Sequence, residues 1–142
     1  MKQPYRRRRI DEPPKFLNFK PSGIPRGMLK KIEISLDEYE AIRLADYMQL
    51  EHEEASEKMN ISRPTFTRLI RSARQKVAKS IIEGHELIIK GGNIELLNAL
   101  HHCKDCGETV SKPIDETEEN CPECGSDHVE NLAKPFMKNE SK

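Results

Sequence analysis

Residues 53–70 read EEASEKMNISRPTFTRLI, and this stretch decides the fold that we predict for the chain. Ala55 and Ser56 are small enough to let two helices cross closely. Asn60 adopts the left-handed conformation more cheaply than most residues, as a tight turn between two helices requires. Ser62 is a favoured N-cap residue for a following helix. The stretch therefore predicts a helix-turn-helix.

The second helix of this motif is predicted to begin at Ser62, with Pro64 tolerated in its first turn, and to continue to about Glu83. Gly84 then supplies a stop. Apolar residues recur along this helix at helical spacing, which is typical of a buried stripe. They are Phe66, Leu69, Ile70, Ala73, Val77 and Ile81.

The opposite face of the same helix is basic, and it is the predicted functional surface. The second helix of a DNA-binding helix-turn-helix lies in the major groove, where its first residues contact base edges. Arginine suits guanine O6 and N7. We therefore expect base contacts from Arg63, Thr65, Thr67 and Arg68, and phosphate contacts from Arg71, Arg74 and Lys76. The alternative is a helical hairpin whose outer face is merely charged.

The distribution of charge favours a nucleic-acid partner, although the formal net charge is zero. Residues 1–30 carry nine Lys and Arg against two Asp and Glu, and residues 62–90 carry seven against two. The segments between and after them are acidic. A basic helix preceded by a basic arm is an electrostatic footprint that the bulk isoelectric point conceals.

Residues 1–28 are rich in proline and contain the run Arg6, Arg7, Arg8 and Arg9. We interpret them as an extended basic arm that contacts phosphates or lies in a minor groove, with an unstructured solubilising segment as the alternative. Arm and helix together would neutralise six to eight phosphates, which predicts that log K falls with log salt at a slope of about −6.

The flanking segments predict further short elements. Ser35 and Glu38 form an S-x-x-E capping box, so a helix should begin between them. A short helix is predicted over residues 51–59. The segments around Ile32 and over 85–90 have the alternation or the β-branched content of strands, and we expect them to pair in a small sheet.

The four cysteines form two C-x-x-C pairs, each followed by glycine: Cys103, Cys106, Cys121 and Cys124. A glycine at that place permits the tight turn in which backbone N–H groups face the thiolate sulfurs. Four thiolates are typical of structural Zn²⁺, so the pattern predicts one zinc ion in a C-terminal zinc ribbon. Iron in a rubredoxin-like site and two disulfides are the alternatives.

We accordingly predict a mainly α fold, in which a helix-turn-helix domain with a small β element is followed by a zinc ribbon. The expected organisation is a basic arm over 1–28, the helix-turn-helix domain with short flanking strands over 29–97, the zinc ribbon over 98–132 and a flexible tail over 133–142. No apolar stretch reaches the length of a membrane span, and no apolar segment follows the first basic run. We therefore expect a cytoplasmic protein with no membrane partner.

Several stretches of the chain resemble a known family. They are residues 19–25 (FKPSGIP), 36–46 (LDEYEAIRLAD), 62–66 (SRPTF), 83–84 and 91–93. With them, residues from about 4 to 93 are similar to a small uncharacterised prokaryotic family of predicted DNA-binding proteins, domain of unknown function 134. The helix-turn-helix of that family is similar to region four of sigma factors, so the resemblance implies a transcription regulator. Family members often carry Cys near the N-terminal basic run, where this chain has Arg and Ile, so no metal role carries over there.

The leading hypothesis is sequence-specific binding of duplex DNA in transcriptional regulation, through the helix 62–83 and with a structural zinc for stability. The alternative is a protein-interaction adaptor that docks through the helix-turn-helix and the zinc ribbon, with the transcription machinery or another protein as its partner. No nucleophile–base set, phosphate loop or open metal site is evident, so we do not expect an enzyme. A homodimer on a pseudo-palindromic site is compatible with this hypothesis, although no interface residue specifies it.

Overall fold

A computed structural model of the chain describes residues 7–116 and 120–136. These residues form α-helices and short strands, together with a few 3-10 and π-helical turns. The helices are α1 (Leu36–Ile42), α2 (His52–Met59) and α3 (Arg63–Glu83). The strands are β1 (Arg8–Ile10), β2 (Asn18–Phe19), β3 (Lys31–Ile34), β4 (Glu86–Ile89), β5 (Ile94–Leu96), β6 (Asn98–Cys103), β7 (Thr109–Pro113) and β8 (Val129–Asn131).

The prediction of a mainly α fold is wrong. Within the described residues, three helices stand beside three small sheets, whose strand orders are β1–β5, β2–β4–β3 and β7–β6–β8. The physical reason is that a strand of three or four residues is stabilised by pairing with a distant segment, so its own sequence pattern carries little signal. Long helices dominate the periodicity of apolar residues in the sequence. The chain is in fact a mixed protein of helices and sheets.

The described residues divide into two compact units. The first holds residues 7–10 and 16–95, with the three helices and the sheet β2–β4–β3, and the second holds residues 11–15, 96–116 and 120–136, with the sheet β7–β6–β8. Two strands come from the segment predicted as an arm, because β1 pairs with β5 and β2 with β4. In the part of the chain that the structure describes, no helix combines the length and apolarity needed to cross a membrane.

The helices of the first unit pack around a cluster of buried side chains: Ala41, Leu44, Ala55, Met59, Phe66 and Ile70. The predicted capping box at the start of α1 is confirmed, since Ser35 Oγ accepts the Glu38 N–H and Glu38 Oε1 accepts the Ser35 N–H at 2.9 Å. After Ile42 the chain continues in a π-helical turn, Arg43–Tyr47.

The turn between α2 and α3 has the predicted chemistry. Asn60 lies in the left-handed region with φ of 62°. Ser62 caps α3, because its hydroxyl oxygen accepts the Thr65 N–H at 3.2 Å, and the helix ends at Gly84. The predicted apolar stripe of α3 is wrong at its end: Ile81, which the periodicity predicts to be buried, has an exposed fraction of 73%.

The predicted pairing of the two strands that flank the helices is confirmed. β3 runs parallel to β4, with Ile32 opposite Leu87. β2 pairs antiparallel with the other edge of β4, so β4 is the central strand of this sheet. Ile34 and Ile89, at the ends of β3 and β4, are buried.

In the second unit, the central strand β6 pairs antiparallel with β7 on one side and β8 on the other. One cysteine pair begins at the last residue of β6, and the other lies in the segment between β7 and β8. Of the segment predicted as a flexible tail, Ala133 is buried and Lys134–Phe136 form a 3-10 turn. Residues 137–142 lie outside the described residues.

Candidate functional site

The residues predicted to contact bases lie together on the first two turns of α3. Arg63, Thr67 and Arg68 are exposed, and Thr65 is partly exposed. Phe66 is fully buried in the helical core, so it determines which side of α3 is turned outward. We call these four predicted residues the N-terminal face of α3, and it presents two guanidinium groups and two hydroxyls.

Both hydroxyls of this face have hydrogen-bond partners inside the first unit. His52 Nδ1 lies 3.1 Å from Thr67 Oγ1, and the His52 ring makes an edge contact with Phe66, with ring centroids 5.2 Å apart. Thr65 Oγ1 accepts the Ser62 hydroxyl at 2.8 Å. The two threonine side chains are therefore oriented by their neighbours.

Two of the three phosphate contacts predicted on α3 are engaged in ion pairs. Arg74 makes a two-point contact with Asp46, at 2.6 and 3.1 Å, and Lys76 Nζ lies 3.0 Å from Glu38 Oε1. A carboxylate partner offsets each positive charge. The third predicted contact, Arg71, is exposed and has no ion-pair partner among residues 7–116 and 120–136.

The N-terminal arginines differ in their exposure and in their hydrogen-bond partners. Arg8 lies in β1, and its guanidinium donates to Asp37 Oδ2 at 2.7 Å. Arg7 and Arg9 are exposed on either side of it, as the alternation of a strand requires. Arg6 lies outside the described residues. Of the run predicted to contact phosphates, Arg8 is thus occupied by a carboxylate of its own unit.

Glu38 is the centre of a small polar network between α1 and α3. Its carboxylate accepts hydrogen bonds from the Ser35 N–H at 2.9 Å, the Ser72 hydroxyl at 2.7 Å and the Lys76 ammonium at 3.0 Å. Burial pushes the pKa of Glu38 upward, but the three hydrogen bonds and the Lys76 charge outweigh it and hold the pKa below its ordinary value. The carboxylate therefore remains ionised at neutral pH.

The sequence contains no signal that would have revealed these partners. Asp37, Glu38 and Asp46 pair with basic residues that lie from 28 to 38 positions away along the chain. His52 and Thr67 are likewise on different helices. Such contacts depend on how the helices and β1 pack, so the sequence predicts the basic residues of the surface but not their neutralisation.

One border of the N-terminal face of α3 is acidic. A cleft beside Arg63 is lined by Glu51, His52, Glu53, Glu54 and Glu57. The glutamates of this cleft repel phosphate groups. The positive side of this face is therefore the one with Arg68 and Arg71, away from the first turns of α2.

The four cysteines of the second unit converge as predicted. The sulfur atoms of Cys103, Cys106, Cys121 and Cys124 all lie within 4.8 Å of one another, and the arrangement could hold a metal ion. The Cys103–Cys124 and Cys106–Cys121 sulfur distances are both 3.6 Å. Sulfurs placed tetrahedrally at about 2.3 Å from an ion lie about 3.8 Å apart, whereas a disulfide joins them at about 2.05 Å. The observed distances of 3.6 Å therefore fit sulfurs that share one ion and not sulfurs joined in disulfides.

Each cysteine pair closes a tight turn at the predicted glycine. The Gly107 N–H donates to Cys103 O at 2.9 Å, and the Gly125 N–H donates to Cys121 O at 2.8 Å. Both glycines have positive φ, 83° and 78°, which a residue with a side chain adopts only with strain. The Cys106 N–H points at Cys103 Sγ, 3.4 Å away, where it would stabilise a thiolate.

The pKa values of Cys103 and Cys106 are shifted in opposite directions. The hydrogen bond from the Cys106 N–H lowers the pKa of Cys103 to about 7. A hydrogen bond from the Glu108 backbone lowers the pKa of Cys106, but burial and the neighbouring sulfurs outweigh it and raise that pKa to about 12. Close thiolates repel one another, so a cation bound among them would displace protons from the group.

A polar contact outside the four sulfurs joins the two cysteine pairs. The Ser126 hydroxyl donates to Asp105 Oδ2, and His128 Nδ1 lies 3.0 Å from the same oxygen. These contacts hold the pKa of Asp105 below its ordinary value. His128, which follows the second pair, is therefore the partner of a carboxylate that lies inside the first pair.

The profile of a family described as "Protein of unknown function DUF134" matches residues 1–97 of the chain. The matched range includes the N-terminal arginines, α1, α2 and α3, and it ends before the first cysteine. It therefore covers the whole of the candidate surface on α3.

Curated relatives carry the name UPF0251 protein. One from Chloroherpeton thalassium is 54% identical over 132 residues, which are 93% of this chain and 87% of the relative. One from Pelotomaculum thermopropionicum is 45% identical over 126 residues, 89% of this chain and 95% of the relative. A third, from Dehalococcoides mccartyi, is 50% identical over 96 residues, 68% of this chain and 82% of the relative. The first two matches are long enough to include residues of both units.

Proposed function

We propose that this chain, which belongs to the DUF134 family of proteins of unknown function, binds duplex DNA sequence-specifically and acts in transcriptional regulation. Its α2 and α3 form the helix-turn-helix, with α3 entering the major groove. The observation that carries the proposal is the pair of exposed arginines, Arg63 and Arg68, beside two oriented hydroxyls at the start of α3.

The chemistry of this face suits base edges. A guanidinium group donates two hydrogen bonds to guanine O6 and N7, and threonine contacts bases through its hydroxyl or its methyl group. The first turns of a recognition helix are the part that reaches those edges. Because His52 already orients Thr67, that side chain loses little conformational freedom on binding.

Phosphate contacts are fewer in this proposal than the count of basic residues suggests. Arg8, Arg74 and Lys76 are paired with carboxylates of the first unit. Arg71 and the two exposed arginines that flank Arg8 remain, with the helix N-terminus as a further contact. Neutralising about four phosphates gives a slope of about −4 for log K against log salt, shallower than the value of about −6 expected from sequence.

Selection of bound fragments from random duplex DNA by the full chain, followed by footprinting, tests the proposal. We expect a consensus sequence, and we expect Arg68→Ala to relax specificity at one base position within it. Arg71→Ala, the matched control on the same helix, should weaken all sequences equally. A pool that gains no consensus at about 50 mM salt, where phosphate contacts are strong, contradicts the proposal.

We infer that the ion held by the four cysteines is Zn²⁺ in a structural role. Four thiolates complete a tetrahedral shell, which leaves no position for a reacting molecule. The second unit buries two of its cysteines, Cys103 and Cys121, and few other side chains, among them Ala99, Leu100 and Ala133. A bound ion would therefore supply much of its stability. Metal analysis with thiol counting tests this inference: one zinc and four protected thiols per chain are expected, and iron or two disulfides would contradict it.

A further inference from the structure

A row of polar side chains continues along α3 beyond the first two turns of the helix. Its members are three or four residues apart, so they lie on one side of α3. They are the exposed residues Arg68, Arg71, Gln75 and Lys79. The buried residues of the helix, such as Ala73, lie on the opposite side. We call these four exposed residues the outer row of α3.

The three cations of the outer row are not neutralised within the described part of the chain. None of Arg68, Arg71 and Lys79 has an ion-pair partner among the described residues. Glu83, the one acidic residue of α3, follows Lys79 by one turn, but its carboxylate lies 2.9 Å from His85 Nε2. The outer row therefore carries three positive charges that remain available to an anionic partner.

A groove of about 350 Å³ lies beside the second half of the outer row, between α3 and β3. Its lining includes Gln75, Lys76 and Lys79 from α3, and Ile32 from β3. Glu38 offsets the charge of Lys76, at 3.0 Å, so Lys79 supplies the uncompensated charge of the groove. Gln75, one turn before Lys79, adds an amide that can donate hydrogen bonds. The groove can therefore receive an anionic oxygen from two neighbouring donors.

We propose that this groove binds a backbone phosphate of duplex DNA, with Lys79 as the charged contact and Gln75 as a hydrogen-bond donor. The inference rests on the proposed function, since it takes the start of α3 to contact base edges. It adds a phosphate contact on α3 to those counted above. That contact lies on the strand that borders the major groove, beyond the bases that the start of the helix reads.

The length of α3 supports this placement. The helix rises about 16 Å from Arg68 to Lys79, at 1.5 Å per residue. The major groove is only about 12 Å wide and winds around the duplex. A straight helix of this length cannot follow the groove floor, so its later turns pass beside a bordering strand. The end of the outer row is therefore the part of α3 that meets a phosphate.

The chemistry of the two side chains also favours a phosphate over a base edge. A lysine ammonium is a compact point charge without the planar fork that pairs with guanine. The oxygens of a phosphodiester only accept hydrogen bonds, and both Lys79 and Gln75 can donate them. The nearest buried carboxylate, Glu38, is already paired with Lys76, so its repulsion of an incoming phosphate is reduced.

Titrations of the full chain, loaded with Zn²⁺, against duplex DNA at several salt concentrations test the site. Lys79→Gln should make the slope of log K against log salt shallower by about one, and it should weaken binding about fivefold at about 150 mM salt. Gln75→Ala should weaken binding by a smaller factor and leave the slope unchanged, because a neutral amide releases no counterion. Both side chains are exposed, so circular dichroism should show an unchanged fold.

Lys31→Gln is the matched control for the loss of one lysine charge. Lys31 is exposed on β3 next to Ile32, which lines the groove. The alternation of a strand turns these neighbouring side chains to opposite sides, so Lys31 points away from the groove. Its substitution should leave both the affinity and the salt slope unchanged.

Neutral methylphosphonate groups, placed one at a time in the selected duplex, locate the phosphate. At one position the substitution should weaken binding of the wild-type chain about fivefold and cost the Lys79→Gln variant little more. That position should lie on a strand that borders the bases read by the start of α3.

Two results would overturn the site: an unchanged salt slope in Lys79→Gln, or methylphosphonate losses that add fully to the loss from Lys79→Gln at every position. If the chain still selects a consensus in either case, the proposed function stands without this site. A slope that Lys79→Gln makes shallower on duplexes from which no consensus emerges would do the reverse. It would support phosphate binding in the groove and contradict sequence-specific recognition.

Discussion

Lys76 Nζ lies 3.0 Å from Glu38 Oε1, so an ion pair joins α3, the helix proposed to enter DNA, to a capping-box residue of α1. The same carboxylate accepts the Ser35 N–H and the Ser72 hydroxyl. Glu38 therefore has two roles, because it caps the start of α1 and forms contacts that hold α3 against it. A substitution of Glu38 would therefore alter the contacts that hold α3 and leave the residues of its exposed face unchanged.

Replacing Glu38 with glutamine should lower the free energy of unfolding by about 2 kcal/mol, because the buried partner of Lys76 loses its charge. Urea unfolding followed by circular dichroism at neutral pH measures the change. Glu33→Gln is the control, since its pair with Lys90 is exposed on both sides and should be worth less than about 0.5 kcal/mol. Equal losses in the two variants would show that the burial of Glu38 has no consequence.

The Glu38 network also predicts a dependence of stability on pH. Its pKa is lowered in the folded state, so its contribution is complete above the unfolded-state value and is lost as pH falls through the folded-state value. The stability difference between wild type and Glu38→Gln should be constant near neutral pH and shrink below about pH 4. Urea titrations at a series of pH values measure it. A difference that widens on acidification would contradict the expectation.

Removing the ring of His52 should change how Thr67 contacts a base. We expect His52→Ala to reduce discrimination at one base position by about fivefold to tenfold, because the Thr67 hydroxyl is no longer oriented. Thr67→Ala should affect the same position, and the double variant should lose little more than either alone. Binding titrations on the selected site and its single-base variants provide the measurement. Fully additive losses would mean that the two residues act independently.

Removing the negative charge of Asp46 should raise the affinity for DNA, because Asp46 pairs with Arg74 in the first unit. Asp46→Asn frees the guanidinium, so binding to any duplex should strengthen and the salt slope should steepen by about one. Arg71→Ala should make the slope shallower by about one, because Arg71 has no such partner among the described residues. Titrations at several salt concentrations distinguish these changes. An unchanged slope in Asp46→Asn would place Arg74 away from the phosphates.

Removal of the metal should unfold the second unit while the helices of the first persist. The four sulfurs then lose the ion that offsets their mutual repulsion, and little apolar burial remains to replace it. Proteolysis and far-UV circular dichroism with and without a chelator measure the loss, and added Zn²⁺ should reverse it. Cys121→Ser should behave like the chelated protein, whereas His128→Ala should still bind one ion per chain. A protease-resistant second unit after complete metal removal would contradict a structural role.

The sequence predicted well where structure depends on neighbours in the chain. The capping box at Ser35, the left-handed turn at Asn60 and the N-cap at Ser62 are all present. It failed where stability comes from distant pairing: the share of strands was underestimated, and Ile81 was predicted to be buried when it is exposed. Helical periodicity shows which side of a helix is apolar, but it does not show where the core that covers that side comes to an end.

The sequence by itself determined the α2–turn–α3 unit and the two cysteine turns, because left-handed residues, caps and ligand spacing act over a few bonds. Only the tertiary structure decided which cations remain on the surface. Arg8, Arg74 and Lys76 are balanced by carboxylates 28 to 38 residues away, whereas Arg71 is not balanced by any described residue. The physical reason is that Coulomb attraction depends on distance in space, and the packing of helices and strands sets that distance independently of separation along the chain.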